Sequence, residues 1–371
     1  MPLDGERITD DTRITSVIPT IEHCLKAGAS LVLASHLGRP KGKPDPKYSL
    51  KPIAGRLEHL LGRPVPLAPD CVGPAVKERA VSLQAGQLLM LENVRFHAEE
   101  EANDEAFAVE LAALANVYVN DAFAAAHRAH ASIEAIARLV KPAAAGLLMA
   151  RELAALGRIT DGAERPVWAI LGGAKVSDKL ALVENLLAKV DGLLIGGGMA
   201  FTFLASLGHG VGRSLVESDR IGMARAVLER ARSRGVPLRL PVDVVVATGV
   251  DSTNGHRTVS VREIPADLAG LDIGPATVSQ FGAALSNAKT VVWNGPMGVF
   301  EKEPFAAGTL GVAKAVSECG AFSVVGGGDT IAAIQQAGVA SRIGYISTAG
   351  GAFLEFLEGR ELPGVAALDD V

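Results

Sequence analysis

Three short apolar runs in the second half of the chain each end in a cluster of glycines. They are residues 167–171 before Gly172 and Gly173, residues 193–195 before Gly196 to Gly198, and residues 322–325 before Gly326 to Gly328. Apolar runs of this length predict buried strands, and an amphipathic helical pattern follows the first cluster. Strands that alternate with helices predict a parallel, doubly wound sheet. Such sheets bind ligands at the carboxyl ends of their strands, where these glycines fall.

The first half of the chain repeats this rhythm, with apolar runs at 30–34, 88–91 and 117–119 that predict further buried strands. A length of 371 residues suits two lobes better than one core. The stretch 143–156 is typical of one long helix. We therefore predict an α/β protein with two doubly wound, Rossmann-like parallel-sheet domains, joined by a long helix with a hinge. The predicted bounds are 1–141 for the N-terminal domain, 142–158 for the helix, 159–355 for a nucleotide-binding domain and 356–371 for a segment packing back towards the first domain.

The composition argues against several classes of partner. The net charge of −5 and the pI near 5.9 give no general basic field for nucleic acid or an anionic membrane. The three cysteines, Cys24, Cys71 and Cys319, form no CxxC pair and predict reduced thiols. The N-terminus has no signal pattern, and glycines or charges interrupt every apolar stretch well short of the roughly 20 residues that span a bilayer. We expect a cytoplasmic enzyme.

The glycine clusters favour a nucleotide site in the second half. Glycine lets backbone N–H groups approach a phosphate, although any one cluster is also explained as a tight turn. The P-loop and GxGxxG motifs are absent. Lys175 and Lys179 are four residues apart, so both are expected on one side of the first helical turns, near the phosphates. Asp329 either caps a helix or binds Mg²⁺ beside the phosphates.

Basic side chains follow the predicted strands of the first half, at the ends where parallel sheets bind ligands. Any one of them is more simply explained as a solvated side chain. Together their guanidinium groups predict recognition of a small acid that carries phosphate and carboxylate groups. The residues after strands are His36, Arg39, Arg95 and Arg128, and Arg13 joins them from the start of the first predicted helix.

The motifs of the chain resemble those of the phosphoglycerate kinase family, in family order and over nearly the whole length. They are SHLGRPKG (35–42), LENVRFHAEEE (91–101), VNDAFAAAHRAHAS (119–132), AILGGAKVSDK (169–179), IGGGMAFTFL (195–204), VWNGPMGVFE (292–301), VVGGGDT (324–330), STAGGA (347–352) and LEGRELPGVAAL (357–368). The resemblance implies a glycolytic kinase, a monomer by family expectation, that transfers a phosphoryl group reversibly between 1,3-bisphosphoglycerate and MgADP. The products would be 3-phosphoglycerate and MgATP.

The resemblance also implies roles for individual residues. The five basic residues named above would bind 3-phosphoglycerate. Arg13, Lys175, Gly350 and Gly351 would act on the transferred group, Glu301 would meet the ribose and Asp329 the Mg²⁺. The nucleotide ligands would be Gly173, Lys175, Lys179, Gly197, Asn294, Pro296, Glu301, Gly327, Gly328, Asp329 and Thr330.

Two departures from the family pattern stand out. Ala349 replaces a usual glycine in STAGGA, which would be strained only if its backbone φ were positive. Family members also begin with a strand ending in a motif like Arg-Val-Asp-Phe-Asn-Val-Pro, and here Met1 falls at the last Val. We expect a start codon assigned too late. The alternatives are an impaired relative that only binds nucleotide or a partner, or an acyl-phosphate kinase for another acid.

Overall fold

The computed structural model describes residues 3–4, 7–160, 162–252 and 254–369. The chain divides into two compact units, one running to Leu153 and resuming at Glu361, the other spanning Ala154–Arg360. Both units consist mainly of parallel strands and helices. None of the helices in the described part combines the length and apolar character that a membrane crossing requires.

The strands are short and are numbered in chain order. They are β1 Leu3–Asp4, β2 Arg7–Ile8, β3 Leu31–Leu33, β4 Leu88–Met90, β5 Tyr118–Asn120, β6 Ala143–Ala145, β7 Val167–Leu171, β8 Gly192–Ile195, β9 Leu238–Arg239, β10 Asp243–Ala247, β11 Arg257–Ser260, β12 Ala269–Ile273, β13 Thr290–Asn294, β14 Phe322–Gly326 and β15 Tyr345–Ser347.

The α-helices lie between these strands. They are α1 Thr12–Thr15, α2 Ile18–Lys26, α3 Lys51–Leu61, α4 Pro74–Val81, α5 Ala98–Glu101, α6 Glu105–Ala112, α7 Ile136–Leu139, α8 Leu147–Thr160, α9 Leu180–Leu186, α10 Met199–Ser206, α11 Ile221–Ser233, α12 Pro275–Leu285, α13 Ala307–Glu318, α14 Gly328–Gln336, α15 Gly351–Leu357 and α16 Pro363–Ala366.

The second unit is built on a six-stranded parallel sheet in the order β15-β14-β13-β7-β8-β9. β7, β8 and β13 are buried along their whole length, as expected for parallel strands covered on both faces. From β7 the chain builds outward to β8 and β9 on one side, and later to β13, β14 and β15 on the other. The sheet therefore changes its direction of growth between the neighbouring strands β7 and β13. This position is a topological switch point, where doubly wound sheets bind their ligands.

A second, antiparallel sheet in this unit has no counterpart in the sequence prediction. β10 pairs with β11 on one edge and with β12 on the other. β10 is buried, and Val244 and Val246 pack in an apolar cluster with Phe201 of α10. This sheet thus covers α10, the helix that follows the second glycine cluster.

The parallel strands of the first unit form two separate pairs, β3 with β4 and β5 with β6. Among the described residues no ladder joins the two pairs. β4 is fully buried, whereas β3 is half-buried and Val119 of β5 is 38% exposed. Strands form within 30–34 and near 117–119 as expected, but the expectation that they are buried is wrong. Among the described residues, β3 pairs only with β4, and β5 only with β6. Each strand therefore has one edge that no other described strand covers.

The helix predicted over 143–156 is wrong at its start. Ala143–Ala145 form β6, and α8 begins only at Leu147. Asp121 accounts for this position, because its Oδ1 accepts hydrogen bonds from the backbone N–H groups of Leu148 at 2.8 Å and Met149 at 3.0 Å. A carboxylate that satisfies the first free N–H groups of a helix fixes where the helix begins.

Candidate functional site

The loops at the switch point of the second unit interlock through backbone hydrogen bonds. The N–H of Gly172 donates to the carbonyl of Asn294 at 3.0 Å, and the N–H of Gly173 donates to that of Pro296 at 2.9 Å. The N–H of Gly197 donates to the carbonyl of Met297 at 3.0 Å. The glycines after β7 and β8 are thus held against the loop after β13, within one crevice.

Lys179 lies at the centre of this crevice. Its Nζ donates to the carbonyl of Gly172 at 2.6 Å, the carbonyl of Asn294 at 3.0 Å and Oδ1 of Asn294 at 2.5 Å. These three acceptors use all three donors of the ammonium group. Burial lowers the pKa of Lys179 to about 8, although the charges of Asp329 and Asp178 act in the opposite direction. Lys179 therefore ties β7 to β13 across the switch point.

Lys175 has a different position from Lys179. It lies in the turn that precedes the short helical segment Ser177–Lys179, and its side chain is exposed. The expectation that both lysines lie on one side of the first helical turns is wrong, because Lys179 turns inward to the carbonyl oxygens. Of these two lysines, Lys175 is the one whose side chain is exposed to solvent.

The third glycine cluster joins the same crevice. Asn294 Nδ2 donates to the carbonyl of Gly326 at 2.8 Å, and the N–H of Gly295 donates to Oγ1 of Thr330 at 2.7 Å. Gly327 is the N-cap of α14, and Gly328 is its first residue. Asp329 is therefore not the N-cap. It lies exposed in the first turn of α14, where its carboxylate faces solvent.

A cavity of about 560 Å³ opens beside these loops. Five of the predicted nucleotide ligands line it: Gly173, Gly197, Pro296, Glu301 and Asp329. Its other walls are largely apolar and come from α10, the antiparallel sheet and the segment after β13. The sequence prediction missed these residues, among them Phe201, Leu215, Pro241, Val244, Leu271 and Val299. A largely apolar cavity with a few polar groups in its wall suits a flat heterocycle attached to a charged group.

Asp272 in the cavity wall is also absent from the prediction. Its carboxylate accepts hydrogen bonds from the N–H of Gly308 at 2.6 Å and from that of Ile273 at 2.9 Å. Burial raises its pKa to about 7 despite these two bonds. The carboxylate holds the start of α13 against β12 and so shapes this side of the cavity.

Gly350 and Gly351 form the start of α15, with Gly350 as the N-cap. The preceding Ala349 is buried and does not belong to the described non-glycine residues with positive φ, which are Lys41 and Asn103. Alanine therefore fits this turn without backbone strain, as the sequence analysis expects for a negative φ.

Gly197→Ala tests how closely the loops at the switch point approach one another. Gly197 has φ +67°, and a Cβ there would lie 2.5 Å from N and 2.7 Å from O of Gly173. Because both obstacles are backbone atoms, we expect a loss of roughly 3 kcal/mol in the free energy of unfolding, together with weaker binding of the predicted nucleotide. Denaturant unfolding and nucleotide titration measure both.

Gly222→Ala is the matched control. Gly222 lies in α11 with open space around its missing Cβ, so alanine should raise the free energy of unfolding by up to about 1 kcal/mol. Equal stability changes in the two variants would contradict the close packing at Gly197.

The first unit gathers four of the five predicted basic residues, and Arg95 is at their centre. Its side chain is only 5% exposed, and Nη1 donates to the carbonyl of Gly38 at 3.0 Å. Its buried Nε has no hydrogen-bond partner and lies 3.5 Å from Oε1 of Glu101. Burial lowers the pKa of Arg95, and so do the charges of Arg128 and Arg39, against the opposite effect of Glu101.

His36 belongs to the same group. The surrounding protein and then the charges of Arg95, His130 and Arg128 lower its pKa to about 3. The imidazole lies at the surface, beside these positive groups. The charged guanidinium groups of Arg39, Arg95 and Arg128 lie close enough to act on one another, and the imidazole of His36 beside them is neutral at pH 7. Together they form a site for an anion, because an anion offsets the repulsion between the three positive charges.

His130 adjoins these residues, although it was not among the predicted ligands. It is buried, its pKa is lowered first by burial and then by Arg95, and its Nδ1 lies 3.8 Å from Oε1 of Glu100. The histidines that flank Arg128 in the sequence were a signal that could have identified it. His97 instead turns away to Asp70, with Nε2 2.7 Å from Oδ1.

Arg13, the fifth predicted residue, lies on α1 with an exposed side chain. Its charge contributes to lowering the pKa of Asp10, after the hydrogen bonds from Thr12. Arg13 and Lys175 thus share one property, since each presents its charged group to solvent.

In a comparison with known proteins, one family profile matches residues of both units. The family profile described as phosphoglycerate kinase matches residues 1–360. A phosphoglycerate kinase of Desulfosudis oleivorans is 56% identical over 370 residues, which cover 100% of this chain and 93% of the relative. One of Koribacter versatilis is 55% identical over 377 residues, covering 99% of this chain and 94% of the relative.

Solved structures agree with this comparison. The phosphoglycerate kinase of Coxiella burnetii superposes with a TM-score of 0.93 at 41% identity and covers 99% of this chain. That of Pyrococcus horikoshii OT3 gives a TM-score of 0.84 at 36% identity, again over 99% of this chain. This chain covers 93% of each of the two solved chains.

Proposed function

The chain belongs to the phosphoglycerate kinase family, and from that premise we propose how its two units carry out the reaction. The reaction is reversible transfer of a phosphoryl group between 1,3-bisphosphoglycerate and ADP, giving 3-phosphoglycerate and ATP. The phosphoryl acceptor in one direction is the carboxyl group of 3-phosphoglycerate. The family match does not favour the alternative that this protein is an impaired relative that only binds nucleotide or a partner.

The chemistry makes few demands on acid–base groups. The carboxylate of 3-phosphoglycerate is ionised at neutral pH, so it attacks without a general base. The transferred phosphoryl group spreads negative charge over its oxygens, and positioned positive groups stabilise that charge. We assign this role to Arg13 and Lys175, together with the backbone N–H groups at Gly350 and Gly351. The exposed side chains of Arg13 and Lys175 support the assignment, because both cations are free to meet a ligand.

The cluster of basic side chains in the first unit, here called the basic group, is the proposed binding site for 3-phosphoglycerate. Arg39, Arg95, Arg128 and His36 would receive its phosphate and hydroxyacid groups, with Arg13 at the reacting end. The buried Nε of Arg95 supports this assignment, since it is a donor without a hydrogen-bond partner. A planar guanidinium binds a phosphate or carboxylate through two parallel hydrogen bonds.

The cavity of the second unit is the proposed nucleotide site. Its apolar wall would take the base, and Glu301 would meet the ribose. The glycine loops at Gly173, Gly197, Gly327 and Gly328 would receive the phosphates, with Lys175, Asn294, Pro296 and Thr330. Lys179 would contribute its charge while it holds Asn294 and Gly172 in place.

Mg²⁺ is the proposed metal, bound with the nucleotide. Asp329 fits this role, because its exposed carboxylate lines the cavity and Mg²⁺ in proteins takes one or two carboxylates beside phosphate oxygens. When bound, the ion would neutralise part of the phosphate charge. We also propose a cytoplasmic monomer with no nucleic-acid or membrane partner, and the three free cysteines agree with a reducing compartment.

The observation that carries the proposal is the crevice at the switch point, where three glycine loops and Lys179 meet beside an apolar cavity. A panel of acid acceptors with MgATP tests it: 3-phosphoglycerate, glycerate and acetate. We expect turnover with 3-phosphoglycerate and at least about 100-fold less kcat/KM for the two acids without phosphate, since the basic group would lose its main ligand. Equal turnover with acetate would overturn the substrate assignment.

A further inference from the structure

Glu217 makes three short contacts with the loop that carries Lys175. Its Oε2 accepts hydrogen bonds from the N–H of Val176 at 2.5 Å and from that of Ser177 at 3.0 Å. Its Oε1 accepts a hydrogen bond from the hydroxyl of Ser177 at 2.5 Å. Partial burial acts to raise the pKa of Glu217, but these bonds and the charge of Lys175 lower it. The carboxylate is therefore ionised and holds the two residues directly after Lys175.

The backbone of Glu217 is anchored on the other side. Its N–H donates to Oγ1 of Thr202 at 3.1 Å, and Thr202 is buried in α10. α10 follows the second glycine cluster, whose Gly197 and Gly198 line the nucleotide cavity. Glu217 thus connects the loop after β7 to the helix after β8, although it belongs to neither element.

These contacts have a consequence for Lys175. Lys175 itself is exposed, so packing does not hold its side chain. The position of its ammonium group then depends on the backbone of residues 174–177, and Glu217 binds that backbone. An ionised carboxylate accepts all three of these hydrogen bonds. An amide in its place would accept the two N–H bonds through its oxygen, but its NH2 group would have to donate to the hydroxyl oxygen of Ser177, and the charge would be lost.

We propose that Glu217 is a positioning residue for phosphoryl transfer, which places Lys175 at the transferred group through the backbone of Val176 and Ser177. This inference rests on the role proposed for Lys175. Glu217 carries negative charge and has no direct part in binding the phosphates. Its contribution should therefore appear in kcat and leave the binding of the nucleotide almost unchanged.

Glu217→Gln is the first test, with steady-state kinetics in both MgADP and 1,3-bisphosphoglycerate. We expect kcat to fall about tenfold and KM for MgADP to change less than about threefold, because an interaction made in the transition state is lost. Ser177→Ala removes one of the three donors and should lower kcat by a smaller factor. Glu229→Gln, an exposed carboxylate on α11, removes the same charge and should leave both constants unchanged.

The double variant separates positioning from a general structural effect. In a Lys175→Ala background, Glu217→Gln should change the residual kcat less than about twofold, since the group it positions is gone. The same tenfold loss in both backgrounds would show that Glu217 acts otherwise and would overturn the inference. Tighter MgADP binding in Glu217→Gln would also overturn it, because Glu217 would then be competing with phosphate for the N–H groups.

Failure of this inference and failure of the proposed function give different results. An active wild-type protein with an equally active Glu217→Gln variant overturns the positioning role alone. A wild-type protein that forms no ATP overturns the proposed function, and the inference with it. Thermal unfolding of each variant shows whether a lost rate reflects lost fold.

Discussion

Lys175→Ala is expected to lower kcat for ATP formation by about 10²- to 10³-fold, the range seen when one preorganised positive or hydrogen-bonding group is removed from a developing oxyanion. Nucleotide affinity should fall less than about tenfold, because the glycine loops, Asn294 and Lys179 remain. Stability should change by about 0.5 kcal/mol or less, since the side chain is exposed. Stopped-flow or coupled assays with MgADP and a nucleotide titration measure the first two quantities.

Lys314→Ala is the control for this variant. Lys314 is also an exposed lysine of the second unit, on α13, and it is not among the residues that line the cavity. Its removal should leave kcat and KM within about twofold of the wild type. If Lys175→Ala kept more than half of the wild-type kcat, the assigned catalytic role of Lys175 would be wrong.

Arg13→Ala is expected to have an effect of similar or greater size, about 10³-fold in kcat, as is found when an arginine that stabilises a transferred phosphoryl group is lost. KM for the phosphoglycerate should rise as well, because Arg13 is also a proposed ligand of that substrate. The nucleotide KM should stay unchanged, since Arg13 belongs to the first unit. Arg13→Lys should recover only part of the rate, because lysine lacks the planar fork.

Arg63→Ala is a suitable comparison, since Arg63 is an exposed arginine of the same unit. It donates to the carbonyl of Gly86 at 3.2 Å, which is a surface contact of small value. We expect near wild-type kinetics. A loss in Arg13→Ala that is no larger than the loss in Arg63→Ala would remove Arg13 from the transfer step.

Three of the six strands of the parallel sheet in the second unit could be predicted, because β7, β8 and β14 are nearly all apolar and lead into glycines. β7 has the predicted bounds, and β8 and β14 differ from them by one residue. Because these strands are covered on both faces, nearly all of their residues are apolar, and the sequence alone indicates that they are buried. The position of the ligand crevice followed from the same pattern, because glycine is placed where backbones approach closely.

The detailed roles within the crevice could not be predicted from spacing. Lys175 and Lys179 look equivalent in the sequence, four residues apart in one motif. The structure separates them, because the carbonyl oxygens of Gly172 and Asn294 attract one ammonium group inward. Those acceptors lie at the ends of β7 and β13, more than 100 residues apart along the chain, so no local pattern predicts that they meet.

The missed wall of the cavity has a similar explanation. β10, β11 and β12 form a small antiparallel sheet whose residues carry no motif. Phe201 lies within the motif IGGGMAFTFL, but as an apolar residue, like Leu271, its type alone does not indicate a ligand. Only tertiary contact assigns them to the cavity. The strand at Ala143–Ala145 was missed because alanine favours helices, and pairing with β5 overrides that preference.

The most direct test of the central claim is an assay of ATP formation by this protein from 1,3-bisphosphoglycerate and MgADP, run beside its Lys175→Ala variant. The account predicts ATP in step with 3-phosphoglycerate for the wild type and at least a roughly 100-fold slower rate for the variant. Nucleotide binding without any ATP, or equal rates for the two proteins, would contradict it.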